Sequence, residues 1–510
     1  MRYYIFLLLI SIISLQSCED ELEQVPENSM TYENGMNTEQ ELDGAIRAMA
    51  LLSRSTLIRS TYPALRGMFQ DETAESLRKI IRLEHEFVPY LALGDDYRIV
   101  AEANLILESL EKINLPEKRN NLYKGSVLFY KALAYWHITR CYGDAVLVKD
   151  KPILDPVAKT RMNQIYVYII DLLEKAKPLV PEYKDYEDSN GNIPKKYIVT
   201  KGAVNALLAS SCLWQAGTKW FAPQEDKGII NETELIEKAE AACTEIIESN
   251  QYSLASSISE VCEKTLLGNS NEAILEFPYK DYIGEIGTGH IIPAGFLFVT
   301  YPVRNDVTAY DIEYNNMRIF SSTVKNMYEE KDQRRKEYFY KVDEPLNPDE
   351  MMLKEYAYPY KYRYAAYQSF AGTTYRMYKG LNIDLTVFRL TDVYMLRAEA
   401  RAKLGKNSLA IEDLNKIRAR AEASLYSPSE YNGDLLTAVF EECDKEFMFE
   451  HERYHRTIRY GESYVRKYLH GYHKIAPISD FTDGALWQEY MHAPLKNPLW
   501  RGNVYWSKKK

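Results

Sequence analysis

One short segment of this 510-residue chain has residue types and a spacing that could do chemistry. It reads His451-Glu452-Arg-Tyr-His455, which on a helix would place two imidazoles on one face for zinc, with Glu452 as the general base of a hydrolase. Arg456 would crowd that site, Glu462 is too close to be a third ligand, and no glycine and third histidine follow at a suitable spacing. We therefore predict no metal and no cofactor, and keep a zinc hydrolase at 451–455 as an alternative.

Other catalytic patterns are weaker. The segment Gly284-Glu-Ile-Gly287-Thr-Gly289 lacks the Lys-Ser/Thr of a phosphate loop and the spacing of a dinucleotide fingerprint, so it predicts a flexible loop. The 73 carboxylates are too many for any pair to be nominated as the acid and base of a glycosidase. Neither pattern therefore nominates a catalytic residue.

Tyrosine is unusually abundant, with 42 residues against 16 Phe and 6 Trp. Its ring offers a rigid apolar face and a polar tip, which suit the faces of sugar rings. A sugar site would combine one to three exposed rings with polar side chains on loops, and the alternative for each ring is burial under its own loop. The predicted contact residues lie in three loop segments: Trp220 and Phe221; Tyr279, Tyr282, Phe298 and Tyr301; and Phe69 and Asp71.

Helical patterns supply the frame that must position these loops. The first predicted helix is apolar on two sides, so it should be buried between neighbours, and Gly143 should end it. Two later pairs of segments have small residues at their crossings and resemble tetratricopeptide hairpins, without a fixed 34-residue period. The predicted helical segments are 128–142, the pair 200–217 and 235–248, and the pair 390–404 and 410–421.

The pattern changes between Asn271 and Gly380, where Pro, Gly, Asn and Tyr cluster. A short apolar run from Ile274 to Phe277 and the alternation from Tyr356 to Tyr364 predict strands. Loops held by a rigid scaffold are where binding usually resides. We expect a mainly α fold of tetratricopeptide-like hairpins, with an irregular loop and short-strand region forming the ligand face.

The N-terminus predicts export. Residues 1–17 have a positive start and an apolar stretch far shorter than the roughly 20 residues that span a bilayer, which is typical of a signal peptide. Cys18 follows Leu15-Gln-Ser17, which resembles the lipobox of bacterial lipoproteins, where this cysteine becomes the acylated N-terminus. The alternative is an ordinary secretory signal with an incidental cysteine. The acidic run from Glu19 to Glu23 is typical of a solvated tether.

Composition excludes some classes of partner. A formal charge of −10 argues against a dedicated nucleic-acid binder. None of the remaining cysteines has metal-ligand spacing, and we predict that they are small buried apolar residues. A disulfide between two of them is an alternative. These residues are Cys141, Cys212, Cys243, Cys262 and Cys443.

An ordered set of motifs resembles the SusD/RagB family of nutrient-binding lipoproteins. The match spans nearly the whole chain and includes the cysteine at position 18 and a C-terminal helix from Glu442 to Arg459 that carries glutamates four apart. The motifs are Tyr130-Lys-Ala-Leu-Ala-Tyr135-Trp136, Cys141-Tyr-Gly-Asp144, Thr200-Lys-Gly-Ala203, Asn271-Glu272-Ala-Ile274 and Leu390-Thr-Asp392-Val-Tyr-Met-Leu396-Arg397-Ala-Glu399-Ala400.

The resemblance implies a non-catalytic lipoprotein that is anchored to the outer membrane, faces the cell surface, and captures oligosaccharide or polysaccharide. It also implies a partner, a SusC-like TonB-dependent transporter over which the lipoprotein sits as a lid. The family often draws stacking aromatics from the loops around residues 279–301, which favours that segment here. A RagB-like peptide binder and a pure helical-repeat scaffold remain alternatives.

The resemblance also sets the expected domain boundaries. A signal peptide covers 1–17, and the lipidated cysteine with its tether covers 18–45. An N-terminal helical-repeat region then covers 46–265, and a C-terminal region covers 266–510.

Overall fold

The computed structural model describes most of the chain between Met36 and Leu469. Several predicted features lie outside the described residues, namely the signal peptide, Cys18, Tyr282, the loop 284–289 and His451. The described residues are 36–59, 67–73, 93–151, 153, 155–186, 195–279, 298–304, 306–308, 317–345, 349–369, 372–374, 376–450 and 452–469.

Helices dominate the described residues. The longer ones are α1 (Glu39–Arg59), α2 (Leu93–Leu110), α3 (Glu117–Tyr142), α4 (Met162–Ala176), α5 (Lys201–Gly217), α6 (Glu232–Glu248), α7 (Leu390–Lys403), α8 (Asn407–Arg420), α9 (Leu435–Glu446), α10 (Arg453–Tyr460) and α11 (Glu462–Tyr468). Shorter helices span Gln224–Lys227, Ile258–Glu260, Ser321–Met327 and Gln333–Glu337, and short turns of other helix types span Lys177–Leu179, Tyr183–Asp185, Lys219–Phe221, Val261–Thr265 and Glu430–Gly433.

The helix α3 confirms the prediction of a helix apolar on two sides. All its residues from Gly125 to Tyr142 are buried, because α2 and α4 pack against it. Gly143 ends it with a φ of 71°, a left-handed conformation that glycine adopts without steric cost. The helix begins at Glu117, eleven positions before the predicted start, since its first turns are polar and carry no apolar period.

The two predicted helix pairs are also confirmed. The helices α5 and α6 pack against each other, as do α7 and α8, and α6 packs on α7. Asn231 caps α6 by accepting from the Glu234 amide, and Gly405 ends the α7 region with a φ of 72°. The fold is therefore mainly helical, as expected, while the tetratricopeptide-like character of the pairs stays a prediction.

Short antiparallel strands cover one part of the helical frame. A four-stranded sheet has the order β1-β3-β5-β4, and the pairs β2-β8 and β6-β7 form two further sheets. The strands are β1 (Glu72–Thr73), β2 (Ala273–Phe277), β3 (Met317–Phe320), β4 (Phe339–Tyr340), β5 (Tyr356–Pro359), β6 (Ala365–Ser369), β7 (Arg376–Leu381) and β8 (Leu385–Arg389). The predicted strands at 274–277 and from Tyr356 are thus present, although β5 stops at Pro359.

Two predicted boundaries are wrong. The single helix expected from Glu442 to Arg459 is two helices, α9 and α10, because Phe449 between them takes a left-handed φ of 68°. The tether expected over 18–45 contains the start of α1, because Leu42 and Ala45 are buried in the main core. The division at residue 265 stays a prediction.

The five described cysteines are buried and unpaired, as predicted for small hydrophobes: Cys141, Cys212, Cys243, Cys262 and Cys443. Burial raises the pKa of the Cys212 and Cys262 thiols to about 12, so they are inert at neutral pH. None of the helices within the described residues combines the length and hydropathy that a membrane crossing requires.

Replacing Gly217 with alanine is expected to lower the free energy of unfolding by roughly 1–3 kcal/mol. A Cβ atom at this position, where α5 meets α10, would overlap the backbone of Arg459. Urea unfolding measures the effect. The matched control is Gly44→Ala in α1, where a Cβ meets nothing within 4 Å, so stability should rise by roughly 0.5–1 kcal/mol. Equal effects of the two changes would contradict the close approach.

Candidate functional site

Half-buried aromatic rings gather on the four-stranded sheet. Tyr340 of β4 lies opposite Tyr358 of β5, and Tyr301 packs edge-on against both, with ring centroids 6.2 Å away in each case. Tyr360, directly after β5, contacts Tyr340 with centroids 5.3 Å apart. Cross-strand aromatic contacts of this kind stabilise a sheet and fix the rings. We name the half-buried rings of this sheet the tyrosine face: Tyr301, Phe320, Tyr340, Tyr356 and Tyr360.

Polar groups flank the first strands of the face. Tyr356 stacks on Phe320 of β3, with centroids 5.8 Å apart and planes inclined by 15°. The Arg318 guanidinium donates to the Tyr356 hydroxyl at 3.1 Å and pairs with Glu72 of β1 at 2.7 Å. Asp71 accepts from the Phe320 amide at 2.7 Å. Apolar ring area therefore lies beside charged donors and acceptors.

A second polar pair flanks β4. The Tyr340 hydroxyl donates to Glu350 at 3.0 Å, and Lys341 pairs with the same carboxylate at 2.8 Å. Partial burial and the Glu350 carboxylate raise the pKa of Tyr340, so its hydroxyl stays protonated at neutral pH. Rings that are half exposed and edged by carboxylates, hydroxyls and ammonium groups can pack on the apolar face of a sugar and exchange hydrogen bonds with its hydroxyls.

Buried hydrogen bonds and one ion pair attach β4 and β5 to the end of α9. The Lys361 ammonium donates to the carbonyl oxygens of Glu446 and Met448 at 2.8 and 3.1 Å, and pairs with Glu450 at 2.6 Å. The Tyr338 hydroxyl donates to the same Glu446 carbonyl at 3.2 Å. Because Tyr338 precedes β4 and Lys361 follows Tyr360, the end of α9 holds both strands of the face in place.

The structure brings together only part of the predicted site. Tyr301 lies on the tyrosine face, and Asp71 is exposed beside β3, where its amide donates to the Arg318 carbonyl at 2.9 Å. Phe69 is half buried, with its ring centroid 5.4 Å from the Arg453 guanidinium. Ligand contact by these three residues stays a prediction.

The predicted rings at 279 and 298 are not exposed, and neither is the ring at 221. Tyr279 is 0% exposed, and its amide donates to Asp384 at 2.8 Å. Phe298 is 2% exposed because its ring packs edge-on against Phe449, with centroids 5.1 Å apart. Phe221 is likewise fully buried. The expectation of exposed stacking rings is therefore wrong for these three residues.

Trp220 lies in another part of the fold. Its indole N–H donates to the Ile458 carbonyl at 3.1 Å, and its ring contacts Phe221 with centroids 4.9 Å apart. The pair thereby fastens the turn after α5 to α10. This segment does not contribute to the tyrosine face.

The described part of the HExxH segment is engaged in structural contacts. Glu452 precedes α10 and pairs with Arg140 of α3 at 2.7 Å. His455 is buried, and its ring packs edge-on against Trp214 with centroids 5.5 Å apart. Among the described residues, no group of three or more His, Cys, Asp and Glu side chains is placed to hold a metal ion.

Most of the tyrosine face lies outside the predicted site. Tyr340, Tyr356, Tyr360 and Arg318 are not among the predicted contact residues. The alternating tyrosines from 356 to 364 were a usable signal, because they predicted a strand with rings on one side. The contact of that strand with Tyr301 and Tyr340 depends on pairing across sequence separations of about 20 to 60 residues, which no local pattern encodes.

Comparison with known proteins extends these observations. One family model, described as "SusD family", matches residues 296–501, and a second, described as "Starch-binding associating with outer membrane", matches residues 23–213. A relative from Formosa agariphila, the SusD-like protein P2, is 21% identical over 490 residues, covering 89% of this chain and 90% of that protein.

Solved structures share the fold. A SusD homolog from Bacteroides thetaiotaomicron superposes with a TM-score of 0.70 at 18% identity, covering 92% of this chain and 97% of the other. Surface glycan-binding protein A from the same organism, solved in complex with laminarihexaose, superposes with a TM-score of 0.58 at 18% identity, covering 85% and 92% of the two chains. Because two SusD-type family models match separate parts of the sequence and a SusD-like relative aligns with nearly nine-tenths of it, the chain belongs to the SusD/RagB family.

Proposed function

We propose that the protein is a lipoprotein of the outer membrane that binds an oligosaccharide or polysaccharide at the tyrosine face. The observation that carries this proposal is the cluster of half-buried rings edged by Arg318, Glu72, Glu350 and Lys341. Such a surface supplies stacking area and directed hydrogen bonds, which are the two requirements of sugar recognition. No chemistry is needed for this role.

The family supports the class of ligand and the location. A family description names starch binding and association with an outer membrane, and a structural relative is a glycan-binding protein solved with laminarihexaose. We extend both to this chain and infer that Cys18 carries the lipid anchor, that the body faces the cell surface, and that bound glycan passes to a SusC-like TonB-dependent transporter. Two or more acyl chains would give stable anchoring.

A RagB-like peptide binder is the main alternative, since tyrosine rings also suit peptides. A matched panel of polysaccharides and peptides separates the two ligand classes. Titration calorimetry of the purified protein is expected to show binding to at least one glycan and no peptide. Peptide binding alone would move the assignment to the alternative.

Replacing both Tyr301 and Tyr340 with alanine is expected to weaken glycan binding at least about tenfold, equivalent to about 1.4 kcal/mol. The two rings contact each other on the face, so their removal takes away stacking area without opening the main core. The matched control is Tyr431→Ala, a partly exposed tyrosine between α8 and α9 that should leave affinity unchanged. Equal affinity of the double variant and the unmodified protein would remove the tyrosine face from the site.

A further inference from the structure

A separate groove lies in the helical part of the molecule, between α4 and the segment that follows α3. It has a volume of about 620 Å³, which is within the usual range for small-ligand sites, roughly 300–1,000 Å³. The lining residues are Leu147, Lys149, Thr160, Gln164, Val167, Tyr168 and Asp171. None of them belongs to the tyrosine face.

Hydrogen bonds hold the wall of this groove in a fixed position. The Tyr97 hydroxyl both accepts from the Val146 amide at 2.9 Å and donates to its carbonyl at 3.0 Å. The Tyr135 hydroxyl does the same for Val148, at 2.7 and 3.1 Å. Ala145 and Thr160 form a bridge between the two ends of the segment. The groove is therefore preformed, which reduces the entropy cost of binding.

The groove offers apolar surface of the kind that a sugar ring covers. Tyr168 is half buried and contacts Tyr135 edge-on, with ring centroids 6.0 Å apart. Val167, next to it on α4, is 49% exposed. Both side chains line the groove beside the polar residues Lys149, Thr160, Gln164 and Asp171.

The charged groups around the groove include one lysine without an ion pair among the described residues. Asp171 is paired with Lys175 at 2.7 Å, while burial, followed by the charges of Asp150 and Asp171, raises the pKa of Tyr168 to about 12. The buried Lys131 ammonium lies 5.6 Å from the Tyr168 centroid and senses the charge of Asp150. Lys149 is exposed with its ammonium 5.8 Å from the same centroid, and the structure, over the residues it describes, gives it no ion pair.

We propose that this groove is a second carbohydrate subsite that takes one sugar unit bearing an anionic group, a carboxylate or a sulfate. Tyr168 and Val167 pack on the apolar face of the sugar, and Gln164 and the Thr160 hydroxyl exchange hydrogen bonds with its hydroxyls. Lys149 makes a charge-assisted hydrogen bond to the anion, which is about twice as strong as a neutral one. This subsite would bind a sugar unit whether or not the tyrosine face binds glycan.

Saturation-transfer NMR of the full protein with three small glycosides tests the proposal. The probes are methyl glucuronoside, methyl glucoside 6-sulfate and neutral methyl glucoside. We expect at least one anionic glycoside to bind at least fivefold more tightly than the neutral one, with binding weakened by added salt. Comparison of the affinities for methyl glucuronoside and methyl glucoside 6-sulfate shows whether the groove prefers a carboxylate or a sulfate.

Variants place this binding in the groove. Lys149→Gln should weaken binding of the anionic glycoside at least fivefold, while Lys151→Gln, an exposed lysine two residues away that does not line the groove, should have no effect. Both positions are exposed, so both variants should fold normally. The Tyr301/Tyr340 double-alanine variant should bind the anionic glycoside as the unmodified protein does.

Three results would overturn the proposal. The first is equal binding of neutral and anionic glycosides, or binding of none. The second is an equal effect of the lysine 149 and lysine 151 changes. The third is loss of binding in the Tyr301/Tyr340 variant while Lys149→Gln still binds, which would support the tyrosine face and remove the groove.

Discussion

Replacing Glu446 with alanine is expected to lower the free energy of unfolding by roughly 3–5 kcal/mol, because removal of one partner from a buried ion pair leaves an uncompensated charge. Glu446 is 0% exposed at the end of α9. Its carboxylate pairs with Arg389 at 3.0 Å, with Arg334 at 3.4 Å, and with Arg420. Burial alone would raise the pKa of Glu446, but the three guanidiniums lower it well below its usual range.

The loss extends beyond one ion pair because Glu446 belongs to a continuous buried network. The network joins strands and helices from distant parts of the sequence, and its members are Glu272, Asp332, Arg334, Lys361, Arg389, Arg418, Arg420, Glu442, Glu446 and Glu450. Arg389 ends β8 and pairs with Glu272 at 2.9 Å, while Arg334 precedes β4. Loss of the Glu446 carboxylate would thus loosen the attachment of the strand region to the helical frame.

Urea unfolding followed by circular dichroism measures this effect. Glu446→Gln keeps the side-chain shape and should destabilise less than alanine, since the amide still accepts from one guanidinium. The matched control is Glu412→Ala on the exposed surface of α8, which should change stability by less than about 0.5 kcal/mol. A loss at position 446 no larger than at position 412 would refute the role of the network. Separately, glycan-binding assays on Glu446→Gln would show whether ligand binding at the tyrosine face depends on the buried network.

The helical frame was predictable because its signals are local. In α3, α5 and α7 the apolar period, the small residues at crossings and the glycine that follows α3 or α7 all lie within a few turns. The break between α9 and α10 was not predictable. Glutamates at 442, 446 and 450 have the spacing of one helix, but the Lys361 ammonium, 85 residues before Glu446, takes the carbonyl oxygens that end α9.

The site was less predictable because residue type does not distinguish a buried ring from an exposed one. Tyr279 and Tyr301 lie in the same stretch of sequence, and no local pattern distinguishes a buried ring from an exposed one there. Tyr279 is enclosed by groups that are distant in sequence: its amide donates to Asp384, and the Arg54 guanidinium lies 6.0 Å from its ring centroid. Tyr301 is only partly buried, against a small hydrophobic cluster of Val299, Val307 and Tyr358. Burial of this kind is set by tertiary contacts that local sequence patterns do not reveal.

Raising the pH from about 4.5 to about 7 is expected to lower the free energy of unfolding through Glu276 of β2. Burial raises the pKa of its carboxyl to about 7, against the opposing effects of the Asn269 amide, which donates at 2.6 Å, and of nearby Lys196. In this window the folded state holds a proton that the unfolded state has lost, so stability falls as pH rises. Carboxylates with lowered pKa values, such as Glu399 at about 2, act at lower pH. Burial also raises the pKa of Asp392 to about 7, so this carboxyl adds to the loss of stability in the same window, and only a comparison of variants separates the two.

The stability difference between the unmodified protein and Glu276→Gln isolates this effect. The glutamine cannot ionise, so its advantage should grow by roughly 3 kcal/mol between pH 4.5 and pH 7.5, as urea unfolding at four pH values would show. Glu260→Gln is the control, because Ser256 and Lys264 lower the pKa of Glu260 to about 2, outside the window. Its difference from the unmodified protein should be constant. A flat difference for Glu276→Gln would mean that the carboxyl is already ionised in the fold, with Lys196 as its counterion.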